Sequence, residues 1–137
     1  MKDNMEMEKR LIGKIMSNPR DYYDCHSLIS EEIFTDPLNR KIYRVVSDKL
    51  DKGDKADMIV ISSAIKDPLV DLRVAECMSS DHYAYMTKNM VLYLSQEDKK
   101  IRLKKLAELT TKKIDNGDDL FNIIDFVDAE MKSISEV

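Results

Sequence analysis

The fold of this chain follows from one segment, residues 82–119, which reads HYAYMTKNMVLYLSQEDKKIRLKKLAELTTKKIDNGDD. No glycine or proline occurs from His82 to Lys113. The segment therefore predicts one helix of about 30 residues, about 45 Å long at the rise of an α-helix. Asn116-Gly117 is a turn signal, and the two aspartates after it can cap another helix. Two long helices joined by a tight turn are expected.

The second of these helices is expected from Asp119 to about Ser135. Charge favours antiparallel pairing with the first helix, since Glu97–Lys113 is mainly basic and Ile114–Val137 mainly acidic. Apolar side chains recur along it at alternating spacings of four and three, which is the pattern of a coiled-coil seam. The predicted hairpin seam consists of Leu120, Ile124, Val127, Met131 and Ile134.

The predicted hairpin carries more apolar surface than its two helices can cover between them. A large exposed apolar patch usually marks a contact with another molecule. We therefore predict a dimer or partner interface on the hairpin, with packing back onto the rest of the chain as the alternative. The side chains assigned to this interface lie off the seam: Tyr85, Met86, Met90, Tyr93, Leu94, Phe121, Ile123 and Phe126.

Residues 1–80 are predicted to form a small head of short helices. A first helix should run from Asn4 to Ser17, and Asp36-Pro37 should start another that ends at Lys52-Gly53. The segment Ala56–Ile65 fits a buried strand or a helix capped by Asp57, and the lack of partner strands favours the helix. A further helix is expected over Leu69–Met78. The predicted class is all-α, in one domain: a helical head (1–80) followed by a long antiparallel helical hairpin (81–137).

Length and charge limit the function classes. A chain of 137 residues fits one domain, and a net charge of −4 disfavours direct, strong nucleic-acid binding. Cys25 and Cys77 are too few for a disulfide framework. The sequence holds no apolar run long enough to cross a membrane and no signal peptide. A cytoplasmic location without membrane contact is expected.

Chemical sites are weakly indicated. Cys25-His26 places a nucleophile beside a base, but adjacent residues rarely present their side chains together, and packing is the favoured interpretation. His82 with Asp81 and Cys77 is too sparse for a metal site. No catalytic, cofactor-binding or metal-binding residue is therefore assigned. Two basic patches, Lys99–Lys105 and the trio of Arg40, Lys41 and Arg44, are interpreted mainly as solvated or structural surface.

An ordered series of motifs runs through the first half of the chain. The series resembles the N-terminal domain of DnaB-like replicative DNA helicases, although Ile33 and Asn39 replace the family's usual acidic residue and histidine. The resemblance extends over nearly the whole chain, because that family also has a helical head followed by a long hairpin. The motifs read Glu8-x-x-Leu11-Ile12-Gly13, Ile29-Ser30-Glu31-Glu32-Ile33-Phe34-x-Asp36-Pro37-x-Asn39-Arg40-x-Ile42-Tyr43 and Leu50-Asp51-Lys52-Gly53. The motif residues expected to be structural are Gly13, Phe34, Asp36, Pro37, Arg40 and Tyr43.

The resemblance implies an interaction module of a larger helicase. In that family the N-terminal domains dimerise through their hairpins, form a collar on the hexamer, and contact primase and sometimes a helicase loader. The ATPase is a separate domain with a P-loop. This sequence contains no P-loop motif, so the chain alone is expected not to be an enzyme and to need no cofactor. We expect it to be a piece of an ATP-dependent DNA helicase.

Three alternatives remain open. The chain could be the helicase-binding C-terminal domain of a primase, which has a similar head and hairpin. It could also be a stand-alone helical adaptor. A small helical enzyme that uses Cys25, His26 or His82 is the third alternative, and the weakest.

Overall fold

A computed structural model describes residues 4–136 of the chain and places them in α-helices, short 3-10 turns and loops. The predicted all-α class is confirmed. Short 3-10 turns occupy His26–Leu28 and Glu31–Ile33. Within the described residues there are seven α-helices: α1 (Met5–Ser17), α2 (Pro19–Cys25), α3 (Pro37–Asp51), α4 (Met58–Ala64), α5 (Val70–Ser79), α6 (Thr87–Asp115) and α7 (Leu120–Ser135).

Aspartate caps start three of the helices where the sequence indicated them. The carboxylate of Asp36 accepts from the backbone N–H of Asn39 at 2.9 Å, and Asp57 accepts from that of Val60 at the same distance. The carboxylate of Asp119 accepts from the backbone N–H groups of Phe121 and Asn122 in the first turn of α7. Each bond satisfies a donor that has no partner within its helix. The ambiguous segment Ala56–Ile65 is therefore helical, as α4.

The long helix begins later than the sequence predicts. It starts at Thr87, and the preceding segment from Ser80 to Met86 is irregular. The reason is tertiary contact with α1: Lys14 donates to the carbonyl oxygen of Tyr85 at 3.0 Å, and His82 is buried, with 6% of its surface exposed. These contacts hold the segment in a shape that a continuous helix would not allow, although it holds no helix breaker.

The chain divides into two compact units, an N-terminal unit (Met1–Ser95) and a C-terminal unit (Gln96–Val137). The N-terminal unit includes α1 to α5 and the first residues of α6. Its hydrophobic core draws on every one of these helices; among its fully buried members are Leu11, Ile12, Phe34, Ile42, Val46, Ile61, Val74, Met90 and Leu94. Burying each such side chain stabilises the fold by roughly 1.5–3 kcal/mol.

Helices α1 and α5 approach each other closely at Gly13. A Cβ atom built on this glycine would lie 2.1 Å from the carbonyl oxygen of Cys77, a distance that no real Cβ contact tolerates. Glycine at position 13 lowers the helix propensity of α1, but its lack of a side chain allows the backbones of α1 and α5 to come into contact. This contact between α1 and α5 accounts for the glycine in the Leu11-Ile12-Gly13 motif of the first helix.

The C-terminal unit is a helical hairpin made of the end of α6 and α7. The turn between them passes through Gly117, whose φ of 76° is the left-handed conformation that favours glycine. None of the helices within residues 4–136 combines the length and the apolar character needed to cross a membrane.

Candidate interaction surfaces

The motif residues of the N-terminal unit meet around the side chain of Glu8. Its carboxyl group is fully buried and accepts four hydrogen bonds. Two come from the backbone N–H (3.2 Å) and hydroxyl (2.8 Å) of Thr35, one from the N–H of Asp36 (3.3 Å) and one from the amide of Asn39 (3.1 Å). Because a buried polar group without partners is costly, this set of bonds holds α1 against the start of α3.

Arg73 of α5 completes the same network. Its guanidinium donates to the carboxylate of Asp36 at 2.6 Å and to the side-chain oxygen of Asn39 at 2.9 Å. Burial alone would raise the pKa of Asp36, but the N–H of Asn39 and the Arg73 guanidinium together lower it below its ordinary value of 3.8. The amide of Asn39 thus donates to the carboxylate of Glu8 and accepts from the guanidinium of Arg73.

The remaining motif side chains also lie in packing contacts. Phe34 stacks on Tyr43 with ring centroids 4.6 Å apart, and Arg40 donates to the carbonyl oxygen of Phe34 at 3.0 Å. Burial raises the pKa of Tyr43 to about 12. Pro37 is the first residue of α3. Sequence reasoning did not find Glu8 and Arg73 as the partners of Asp36 and Asn39, because they lie some 30 residues away in the chain.

Both cysteines and His82 are buried, whereas His26 is exposed. Burial raises the pKa of the Cys25 thiol, and raises that of Cys77 to about 12, so neither thiol favours the nucleophilic thiolate form. The Nδ1 atom of His26 lies 2.9 Å from the carbonyl oxygen of Tyr23. No group of three or more His, Cys, Asp or Glu side chains that could hold a metal ion occurs in residues 4–136.

In the C-terminal unit, α7 turns a different face toward α6 than the seam prediction assumed. Ile123 is buried, and Phe126 lies in a groove between the helices, with the ammonium group of Lys113 4.6 Å from the centre of its ring. The groove has a volume of about 310 Å³ and is lined by Arg102, Lys105, Leu106, Leu109, Phe126, Glu130, Ser133 and Ile134. Two predicted interface residues, Ile123 and Phe126, therefore pack within the hairpin.

Most of the predicted seam lies exposed. Leu120 is 63% exposed, Ile124 45% and Met131 43%, whereas Val127 and Ile134 are half-buried. Helix α7 is apolar around much of its circumference, so spacing alone does not choose the inward face.

The exposed apolar side chains of the C-terminal unit are distributed along both helices. Those on α7 follow one another at spacings of one, three and seven residues, which place them on one side of a helix with 3.6 residues per turn. Helix α6 contributes a second set. Together they are Leu103, Leu109 and Ile114 on α6 and Leu120, Phe121, Ile124 and Met131 on α7. We call these seven side chains the hairpin apolar surface.

The predicted interface residues before Gln96 divide into two kinds. Tyr85 and Met86 are exposed, at 46% and 69%. Met90 and Leu94 are each 1% exposed and belong to the core of the N-terminal unit, with Tyr93 packed against that core. Side chains buried in their own chain cannot also contact a second copy, so Met90 and Leu94 are corrected from interface to core residues. The irregular start of this region turns these two inward.

Ion pairs in the C-terminal unit are mostly local. Lys100 lies 3.6 Å from Glu97 and Arg102 lies 3.2 Å from Asp98, both within α6. Lys113 approaches Asp118 of the turn at 3.9 Å. The acidic side chains of α7 thus remain largely at the surface beside the hairpin apolar surface.

The chain was compared with known proteins in three ways. The family described as the DnaB-like helicase N terminal domain matches residues 1–96, which include Glu8, Gly13, Asp36, Asn39 and Arg73. A search of curated proteins and a search of solved structures each gave no match. The family match spans more than half of the chain, and the chain therefore belongs to the DnaB-like helicase N-terminal domain family, as the N-terminal domain of a replicative helicase.

Proposed function

We propose that this domain joins copies of its parent helicase through the hairpin apolar surface, so that paired hairpins build the collar of a hexamer on which primase docks. A helicase loader is a further candidate partner of the collar. The domain itself would supply contacts and no chemistry, with ATP hydrolysis carried out by a motor domain of the parent protein.

The observation that carries the proposal is the exposure of seven large apolar side chains on one small hairpin. Phe121 at 71% and Leu120 at 63% are exposed to a degree that is costly in water, since burying a side chain of this size is worth roughly 1.5–3 kcal/mol. Because exposed apolar surface of this extent usually marks a contact site, and members of this family oligomerise, a second copy is the favoured occupant.

The distribution of charge on the hairpin also favours a second copy of the chain as its partner. The basic side chains of α6 and the acidic side chains of α7 lie on one hairpin, so two copies related by a twofold axis can place α6 of one against α7 of the other. Such exposed pairs add little affinity, at most about 1 kcal/mol each, but they favour the antiparallel arrangement over others. The apolar contacts would supply most of the free energy.

The proposed helicase and the alternative, a helicase-binding domain of a primase, make different predictions about the parent gene. A helicase predicts a P-loop domain encoded after this region. A helicase-binding domain of a primase predicts a catalytic primase region encoded before it. The sequence of the parent gene on both sides therefore separates the two, and neither flanking region would favour the stand-alone adaptor.

Sedimentation equilibrium tests the contact between copies. In the variant Leu120→Asp/Ile124→Asp, two charges enter the hairpin apolar surface, and we expect the dissociation constant of the dimer to rise by about a hundredfold or more. The matched control is Ile59→Asp/Leu72→Asp, which alters two apolar side chains of the N-terminal unit that are more exposed (77% and 61%) than the pair on α7. A wild-type chain that stays monomeric at high micromolar concentration, or an equal loss in both variants, would contradict the proposal.

Primase docking has its own test. The wild-type domain, mixed with the primase of the same replication system, should coelute with it in size-exclusion chromatography. The Leu120→Asp/Ile124→Asp variant should lose this complex if docking needs the paired domain. Retention of a dimer without any complex would remove primase docking and leave the contact between copies intact.

A further inference from the structure

A second surface of the N-terminal unit collects positive charge in a cleft. The cleft lies between α3 and the end of α4 and has a volume of about 470 Å³. It is lined by the cationic side chains of Lys41, Arg44 and Lys66 and by three apolar residues, Val45, Ala64 and Ile65, which we call its apolar floor. It shares no residue with the hairpin apolar surface, and no step of the proposed function uses it.

Two of the three cations of this cleft have no carboxylate partner in the described part of the chain. Arg44 is held by Glu31 through two hydrogen bonds, of 2.8 and 2.6 Å, which orient its guanidinium, and Glu32 also lies near it. Among the residues that the structure describes, neither Lys41 nor Lys66 forms an ion pair with a carboxylate. The excess positive charge of the cleft therefore comes from these two lysines. This arrangement attracts anions.

The residues that line the cleft indicate which class of anion it would bind. A small inorganic anion needs charge but gains nothing from a floor of Val45, Ala64 and Ile65. A single-stranded nucleic acid gains much of its binding free energy from stacking on aromatic rings, and the lining contains none. Carboxylates next to an aliphatic side chain satisfy both parts of the cleft, since the acidic groups pair with the cations and the apolar group covers the floor.

We propose that the cleft of Lys41, Arg44 and Lys66 is a docking site for an acidic peptide segment of a partner protein, one that seats an apolar side chain between its carboxylates. The fit rests on charge complementarity and on the apolar floor. Arg44, preset by Glu31, makes the directed contact, and the two lysines supply flexible charge.

Fluorescence anisotropy tests the site with a labelled short peptide of glutamates around a central pair of leucines. The full 137-residue chain should bind this peptide saturably, and more weakly as salt rises. In Lys41→Glu/Lys66→Glu we expect at least about a tenfold loss of affinity. The matched control Lys55→Glu/Lys88→Glu makes the same change in net charge on exposed residues of the N-terminal unit outside the cleft and should stay within about twofold of wild type.

Several outcomes would overturn the proposal. One is the absence of saturable binding by a chain whose circular dichroism shows it folded. Another is an equal loss in both charge-reversal variants, which would reflect net charge alone. Tighter binding of a labelled oligothymidylate would assign the cleft to nucleic acid, and equal binding of a glutamine version of the peptide would remove the role of the carboxylates. Sedimentation of Lys41→Glu/Lys66→Glu should match wild type, which separates this site from the contact between copies.

Discussion

The two units of this chain use similar local signals but place their large side chains in opposite ways. Each unit has a helix capped by an aspartate and a glycine turn with positive φ. The N-terminal unit buries its apolar residues around a core and adds a buried polar network. In the described part of the C-terminal unit, two large apolar side chains are buried, Leu106 and Ile123, whereas the seven of the hairpin apolar surface are exposed.

This contrast shows that local helix signals do not indicate whether a unit buries its apolar side chains within its own chain. A unit with a closed core is stabilised within one chain, and its substitutions should change folding. A unit that leaves its apolar side chains outside gains most from a second molecule, and its substitutions should change association. Substitutions of the same residue type in the two units test this distinction.

The largest difference is expected between two glutamates. Replacing Glu8 with alanine leaves four donors of the buried network without an acceptor, and we expect a loss of about 4 kcal/mol in the free energy of unfolding. Replacing Glu130, an exposed residue of α7, should cost less than about 0.5 kcal/mol. Urea unfolding followed by circular dichroism measures both. Equal costs would break the contrast between the units.

An intermediate effect is expected for two glycines. Alanine at Gly13 gains about 1 kcal/mol of helix propensity but forces a Cβ against the Cys77 carbonyl, so a net loss of about 2 kcal/mol is expected. Alanine at Gly117 meets open space and loses about 1 kcal/mol through its positive φ. Thermal unfolding of the two variants decides the order. If Gly13→Ala were more stable than wild type, the close approach of α1 and α5 would be refuted.

The smallest effect on stability is expected for two aspartates that cap helices, and for Asp36 this effect depends on pH. The pKa of Asp36 is lower in the folded chain than its ordinary value of 3.8, so its carboxylate stabilises the fold fully above that value. This contribution is lost as the pH falls through the folded-state pKa. Asp36→Asn should cost about 1 kcal/mol at neutral pH, and the difference from wild type should shrink toward zero below pH 4.

Asp119→Asn is the control for the capping contribution itself. Asp119 is exposed and accepts from backbone N–H groups of α7, and asparagine caps helices about as well. Urea unfolding at neutral pH should therefore show a smaller cost for this variant than for Asp36→Asn. A cost of Asp36→Asn that does not change with pH would assign its role to packing and remove the Arg73 ion pair from the account.

Much of the fold could be predicted because its signals are local. Asp36-Pro37, Asp57 and Asp119 each cap the next turn of chain, and the Gly-free and Pro-free segment before Asn116 predicted a long helix. The start of that helix was wrong by about five residues, because contacts of His82 and Tyr85 with α1 override helix propensity there. Long-range contacts of this kind leave no trace in local spacing.

The surfaces were harder to predict than the helices. Spacing identified two apolar stripes on α7 but not which one faces α6, since the helix is apolar around much of its circumference. Met90 and Leu94 carried the same apolar signal as the exposed residues, and only the packing of the N-terminal unit shows them as core. The Glu8 network joins residues from α1, α3 and α5, which no motif in a single sequence connects.

Hydrogen–deuterium exchange of the wild-type chain at rising concentration tests the central claim most directly. If the hairpin apolar surface is a contact between copies, backbone amides of α7 should exchange more slowly as concentration rises from low to high micromolar, while those of α4, with its exposed Ile59, should not change. Exchange of α7 that is independent of concentration, or protection that rises equally in both helices, would contradict the account.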